Sequence, residues 1–337
     1  MSEVARACDT AVETGITAFD YGLLGIGGIP SGQFIQIYGK EGTGKTTLML
    51  HIIAGMQRNG RIPLVLDQKC AVASDVARAK RIGVDPENVV LLPISTTEDA
   101  LEKTRKLIHD LYAKGVKQAF FWDDLGLAPV ESNMDLKKRK EAVAEKARSI
   151  WQFCQTLNGV CFKCDVPMVI VNQLIAVIGK SFGFGGPKMI TSGGGGARFA
   201  SRININLAQG EKIKDGSSVV GHKIYARTDK NAFFAPQMKA ELYLSYRNGI
   251  LSRESTLLNA GRLISKERGG NGYKCAEAGV TEYKSFDAWS KGELWALEGL
   301  LWPWISDPQG YDWSKLLSHG EVTEEEAEDD AIIEEFF

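Results

Sequence analysis

The sequence predicts an α/β fold: a mainly parallel sheet covered by helices on both faces, with a small C-terminal α/β unit and an acidic tail. Three observations carry this. Short apolar runs alternate with charged, helically spaced segments; a glycine loop of the form GxxxxGK[ST] stands between one such run and the next helix; and composition changes near residue 255.

The first strand is "FIQIY" (34–38), rich in β-formers. The loop "GKEGTGKT" (39–46) follows, then "TTLMLHIIAGMQRNG", which has helical spacing and a glycine stop. The pattern recurs with "PLVLD" (63–67), "VVLLP" (89–93), "QAFFWDD" (118–124) and "PMVIVNQ" (167–173), separated by segments such as "TTEDALEKTRKLIHDLYAKG". Strands that are apolar at nearly every position need cover on both faces, as a parallel sheet provides. The later runs "RININLA", "HKIYARTD" and "KAELYLSY" are joined by hairpin-like turns, so this part of the sheet reads as partly antiparallel. From residue 255 the chain reads as helical and tryptophan-rich, with Trp289, Trp295, Trp302, Trp304 and Trp313 mostly filling a core. There "SKGELWALEGLLWPW" offers a capping box, Ser290 with Glu293, and a proline stop.

The 337 residues, 44% hydrophobic, suffice for one large domain with a small appendage. No run approaches the roughly 20 apolar residues of a membrane span, and "MSEVARACDT" lacks the apolar stretch of a secretory signal, so a soluble cytoplasmic protein is expected. The six cysteines read as reduced thiols. "CFKC" (161–164) has metal-like spacing, but there is no second CxxC, and with Cys154 it falls in a helix-to-strand segment, which favours buried thiols over zinc. The net charge of −2 hides an asymmetry: nine acidic residues crowd into "EVTEEEAEDDAIIEEFF", leaving about +7 on residues 1–320. Such a tail is either a solubilising extension or an internal competitor for a basic surface.

In the loop, Gly39, Gly42 and Gly44 let backbone N–H groups face a phosphate, with Lys40, Glu41 and Thr43 between them and Thr47 just beyond. Lys45 would neutralise β/γ oxygens and Thr46 would ligate Mg²⁺, at the positive end of the following helix. A second metal-side carboxylate is expected at the end of a neighbouring strand, where Asp123 stands, followed at once by Asp124.

These residues resemble the RecA family of strand-exchange recombinases. The matching stretches are "ETGITAFDYGLLGIGGIPSGQFIQIYGKEGTGKTTL" (13–48), "RIGVDPENVVLLP" (81–93), "FFWDDLGLAP" (120–129), "VNQLIAVIGKSFG" (171–183), "TSGGGGARFASRINI" (191–205), "DKNAFFAPQMKAELYLSYRNGI" (229–250) and the acidic tail. "GGGG" and "YRNGI" look closer to phage recombinases of the UvsX type than to bacterial RecA. The resemblance implies a RecA-like P-loop ATPase core. It implies an ATP- and Mg²⁺-dependent, DNA-dependent ATPase that forms filaments on single-stranded DNA and drives homologous pairing and strand exchange. Its implied partners are single- and double-stranded DNA, further copies of itself, and a single-strand binding protein or mediator; the site of action is the cytoplasm, a host's for a viral chain.

The resemblance also assigns roles. Gln173, after Asn172, senses the γ-phosphate. The loop behind it, about 174–198, is the second DNA-binding loop, with Lys180, Lys188 and Arg198 for phosphates, Phe182 and Phe184 for bases, and Gly194 and Gly195 for mobility. Lys137, Lys138, Arg139 and Lys140 stand where the first DNA loop falls and read equally as a solvated helix face. Lys230 reaches a neighbour's γ-phosphate. The layout is a short N-terminal segment (1–12) as a docking strand, the core (13–254), a C-terminal domain (255–318) capturing duplex DNA through Lys266, Arg268, Lys274 and Lys284, and the tail (319–337). "EEFF" also resembles the partner-docking ends of single-strand binding proteins.

Four departures stand out. Where the family has its catalytic glutamate, two residues after the aspartate ending the second strand, this chain has Lys69, which has no lone pair to accept the attacking water's proton near neutral pH. Either the base has moved to Asp124, with slow hydrolysis and Lys69 an extra phosphate or interface cation, or the protein is an ATP-bound clamp. Asp75 fits the position near the adenine, but Arg78 replaces the stacking tyrosine. Ala232 replaces a second cross-interface cation, and few residues precede the core. Lys69, Ala232 and that short segment support an alternative: an ATP-binding recombination mediator or filament cap. A hexameric helicase or clock-type ATPase fits the core but not the "FFAP…YRNGI" block.

Overall fold

The computed structural model describes residues 3–93, 96–127, 139–181, 187–192, 195–267, 270 and 272–305. The elements run α1 (Glu3–Thr10), β1 (Phe34–Gly39), α2 (Lys45–Arg58), β2 (Ile62–Asp67), α3 (Ala71–Ser74), α4 (Val76–Ile82), β3 (Val90–Leu91), α5 (Thr97–Ala113), β4 (Gln118–Asp123), α6 (Arg139–Lys163) and β5 (Met168–Ser181). Then come β6 (Pro187–Thr191), α7 (Gly196–Ala200), β7 (Ile203–Asp215), β8 (Ser218–Asn231), β9 (Lys239–Ser245), β10 (Gly249–Leu251), α8 (Ser252–Asn259), β11 (Ser265–Lys266), β12 (Gly272–Cys275), β13 (Val280–Ser285) and α9 (Lys291–Leu301).

The main sheet has the order β10-β9-β8-β7-β1-β5-β4-β2-β3, with β6 paired to β5 off this path. From β7 to β3 all neighbours are parallel; from β7 to β10 they are antiparallel. The apolar strands bury both faces, as their composition requires. Ile35, Val65, Phe121, Val169 and Val171 join the core around α2, whereas Phe34, Leu64, Phe120, Trp122, Met168 and Ile170 join the core under α5 and α6. The second core also takes in Cys154, Cys161 and Cys164. Among the described residues no group of His, Cys, Asp and Glu could hold a metal ion, and no helix is long and apolar enough to cross a membrane.

The fold departs from the sequence reading in three places. The strand expected over 89–93 shrinks to two exposed residues at the sheet edge, where only one side is paired. The N-terminal segment, expected as a docking strand, is the helix α1, in keeping with the helical spacing of Val4 and Ala7. Its Arg6 lies 5.1 Å over the Phe162 ring and 4.0 Å from Asp165, and among the described residues of the segment Val12 alone makes a β-bridge, to Ile29. The chain beyond 255, expected as a small α/β unit, contains the antiparallel sheet β11-β12-β13, whose strands the helical reading of these residues does not locate. These strands are short and carry Lys, Glu and Tyr rather than an apolar alternation, so periodicity does not flag them.

A third core, including Cys275, Val280, Phe286, Trp289 and Leu297, lies in this segment. Trp289 and Trp302 are buried, and Trp302 packs so closely on Gly22 that a Cβ there would come within 2.9 Å of the indole. Trp295 is half exposed, the Trp304 side chain is not described, and Trp313 lies outside the described residues. The capping box forms: the Glu293 N–H donates to Ser290 Oγ (3.2 Å) and the Ser290 N–H to Glu293 Oε2 (2.7 Å).

One hydrogen bond ties the loop-bearing helix to the far edge of the sheet. The Ile250 N–H donates to Nε2 of His51 on α2 (2.8 Å), which requires a neutral ring. Burial, assisted by the charges of Arg58 and Arg78, lowers the His51 pKa to about 4. With the folded value below the unfolded one near 6.5, the unfolded chain binds the extra proton between these pH values. Stability is therefore expected to fall as pH drops from 6.5 to 4, by about 3 kcal/mol at full effect. Urea midpoints measured against pH should show that slope, and His51→Gln, which keeps an uncharged acceptor, should flatten this component.

Candidate nucleotide site and DNA-facing loop

The glycine loop is shaped by steric exclusion. Gly39 ends β1 so close to β7 that a Cβ would lie 2.2 Å from the Leu207 carbonyl oxygen. Gly44 caps α2 in the left-handed region (φ 88°) and packs under Ile224 and Leu244. Lys40, Glu41 and Gly42 are exposed on the loop, and Thr43 is buried, its hydroxyl donating to the Lys40 carbonyl (3.0 Å). The Lys45 ammonium, 5% exposed, donates to the Gly39 and Lys40 carbonyls (2.9 and 2.5 Å). Burial, with the nearby Lys69 charge, brings its pKa down to about 8.

Parallel register brings the two acids to the loop. Asp67 is paired with Asp123, so β4 ends beside the start of α2, and Thr46 Oγ1 donates to Asp123 Oδ2 (2.6 Å). Asp123 and Asp124 are both fully buried. Asp124 Oδ1 accepts from the Gly126 N–H (2.6 Å), while the Gly126 carbonyl accepts from Lys146 (2.5 Å), a residue the sequence reading did not single out. Lys69 leans in from the end of β2, its Nζ 2.9 Å from Asp124 Oδ2 and 3.7 Å from Asp123 Oδ1. Burial alone would lower its pKa, but the bond to Asp124 and the charge of Asp123 raise it.

A cavity of about 280 Å³ opens above the loop, lined by Glu41, Lys45, Thr46, Thr47, Lys69 and Arg78 on one side and His222, Leu244 and Tyr246 on the other. Arg78 donates to Thr47 Oγ1 (2.7 Å), and Asp75 caps α4 by accepting from the Arg78 N–H (3.0 Å). His222, Leu244 and Tyr246 were not predicted. They arrive through β8, β9 and the residue just after β9, where His222 is paired with Leu244, a register that no local motif announces.

Gln173 lies beside Gly39 in the parallel pair β1–β5, and its carbonyl accepts from the Ser192 N–H (2.9 Å). Asn172, fully buried, donates to the Ser192 carbonyl (3.1 Å). The strand end nearest the phosphate loop therefore clamps the entry to α7. The segment expected to be a plain mobile loop starts as a ribbon: β5 runs on to Ser181 and pairs with β6, Leu174 with Thr191 and Ser181 with Pro187. Lys180 and Lys188 lie in these strands, though their side chains, like those of Arg139 and Lys140, are not described. Phe182, Phe184, Gly194, Lys137, Lys138, Arg268 and the tail lie outside the described residues. Gly195 and Arg198 are exposed at α7.

The model of the RecA N-terminal domain matches residues 3–251. The chain belongs to the RecA family. It is similar to Protein RecA of Wolinella succinogenes (33% identical over 251 residues, 74% of this chain and 69% of that protein) and of Helicobacter pylori strain P12 (32%, covering 74% and 70%). It is also similar to Protein RecA of Amycolatopsis mediterranei, at 31% over 261 residues, covering 77% and 72%. As a RecA-family protein it is a DNA-dependent ATPase and a DNA recombinase of recombination and repair, working as a filament that exchanges strands. The RecA family uses ATP, typically with Mg²⁺. The residues here fit that ion: Thr46 and Asp123 offer hard oxygen donors side by side, and Asp123 Oδ1 is buried without a hydrogen-bond donor.

Lys230, expected to act on a neighbouring protomer, does not line this cavity. It is paired with Asn204, three positions back along β7 from the Leu207 that lies beside Gly39, and donates to the Ser201 and Phe199 carbonyls (2.6 and 3.4 Å). Ala232 donates its N–H to the Arg202 carbonyl, and the Arg202 guanidinium lies 5.3 Å over Phe233. In the C-terminal segment Lys284 is held by both carboxylate oxygens of Glu293 (2.7 and 2.8 Å), while Lys266 and Lys274 lie over the rings of Tyr273 and Tyr283 (5.9 and 4.6 Å).

Proposed function

We propose that this chain loads ATP with Mg²⁺ at Lys45, Thr46 and Asp123, and that the loaded state grips single-stranded DNA through the segment behind Gln173. The observation that carries the reading is the clamp on Ser192 by Asn172 and Gln173, one register position from the phosphate loop. Gln173 senses the γ-phosphate and passes that state to Lys180, Phe182, Phe184, Lys188, Gly194, Gly195 and Arg198. The basic groups contact backbone phosphates and the aromatic rings stack on bases. Asp124 takes the proton of the attacking water, and Lys230 acts across the filament interface. When bound, the metal supplies charge neutralisation at the transferring phosphate; Asp123 and Thr46 position it. Asp75 and Arg78 lie on the base side.

On this reading residues 13–254 form the recombinase core, 255–318 capture duplex DNA, and the tail from 319 modulates that access and docks a single-strand binding protein or mediator. The "GGGG" and "YRNGI" stretches support a place in the phage UvsX-type branch, at work in a host's cytoplasm. Binding of labelled single-stranded DNA with and without a non-hydrolysable ATP analogue tests the core claim. Affinity should rise with the analogue and fall steeply with salt, strand exchange should follow, and helical fibres should appear by electron microscopy. Equal affinity in nucleotide-free protein would defeat it. The Lys69–Asp124 ion pair favours one competitor, a slow or non-hydrolysing clamp that serves as mediator or filament cap. Fibres that hold DNA without exchanging strands would select it.

A further inference from the structure

Two fully buried, adjacent carboxylates are costly to hold ionised together, because each is desolvated and each repels the other. Asp123 and Asp124 are such a pair, and Asp67 is in register beside them. Their compensation comes from the chain itself. Thr46 donates to one oxygen of Asp123 and Gly126 to one of Asp124, and between the two remaining oxygens stands the Lys69 ammonium, 2.9 Å from one and 3.7 Å from the other. Lys45 is not available for this task, being held by the Gly39 and Lys40 carbonyls. Lys69 also lines the phosphate cavity, its side chain 29% exposed, on a flexible four-carbon stem.

We propose that Lys69 is a tethered counter-cation. Its single ammonium offsets part of the acid pair's charge and swings to a bound triphosphate, so the site carries its own counter-cation and ATP affinity depends only weakly on Mg²⁺. This rests on the nucleotide-site reading above and deepens it. The swing has a second effect: leaving Asp124 exposes Oδ2, the oxygen that must be free before that carboxylate can accept a proton. No bond is made or broken in the exchange, only ion pairs.

The test is the ratio of dissociation constants for a fluorescent ribose-labelled ATP in EDTA and in magnesium chloride. Wild type should show a ratio within about tenfold. Lys69→Gln removes the tethered cation from the acids and the triphosphate alike and should raise the ratio by at least about tenfold, within the ordinary range of coupling between two ligands. Lys69→Arg keeps the charge and guards against a merely unfolded glutamine variant; its ratio should stay near the wild-type value. A large ratio shared by wild type and Lys69→Gln would overturn the role of Lys69 while leaving the nucleotide site standing. Absence of binding to wild type in both buffers would overturn the site and this role together.

Discussion

Asp124→Asn should cut DNA-stimulated ATP turnover by about 10²–10⁴-fold, the usual contribution of a positioned general base, while changing ATP affinity little. The geometry lets an asparagine keep one of the two contacts and removes the other. Asp124 Oδ1 accepts from the Gly126 N–H at 2.6 Å, and an asparagine carbonyl can take over that bond. What is lost is Oδ2, the oxygen now paired with Lys69 at 2.9 Å, and with it the proton-accepting role proposed for Asp124. Lys69 keeps Asp123 as a partner, so the buried charge is not abandoned. Steady-state turnover with saturating single-stranded DNA, alongside equilibrium ATP binding, separates the two effects. If the variant turns over as fast as wild type, the base lies elsewhere.

Gln173→Ala should abolish the coupling between nucleotide and DNA. Ordinary allosteric coupling changes affinity about 5–150-fold, and the analogue-induced gain in single-stranded DNA affinity should shrink to about onefold in the variant. Folding should survive, because the bond to the Ser192 N–H comes from the Gln173 backbone and the bond to the Ser192 carbonyl from Asn172. Fluorescence anisotropy of a labelled oligonucleotide with and without the ATP analogue reads this directly. A variant that retains the full gain removes Gln173 from the route.

Much of this was legible from residue order. The both-face burial of Phe120, Phe121 and Trp122 follows from an unbroken apolar run, the Ser290–Glu293 capping box from a three-residue spacing, and the loop around Lys45 from glycines at fixed intervals. Those signals are local, and local chemistry survives folding. His222, Leu244 and Tyr246 reach the cavity only through strand register, a long-range property set by how β8 lies on β9. Lys69 was legible as a missing glutamate but not as a partner for two acids, since the distance between strand ends is a fact of the sheet. The antiparallel sheet beyond residue 264 escaped because strands of two to six residues carry too little periodicity to read.

The continuity of β5 has a mechanical consequence. The strand does not stop at the phosphate end of the sheet but runs eight residues further, from Gln173 to Ser181, stiffened near its root by pairing with β6. At about 3.3 Å per residue that is an arm of roughly 26 Å. A tilt of about 10° at its pivot would sweep the tip through roughly 4.5 Å, on the scale of the spacing between neighbouring strands.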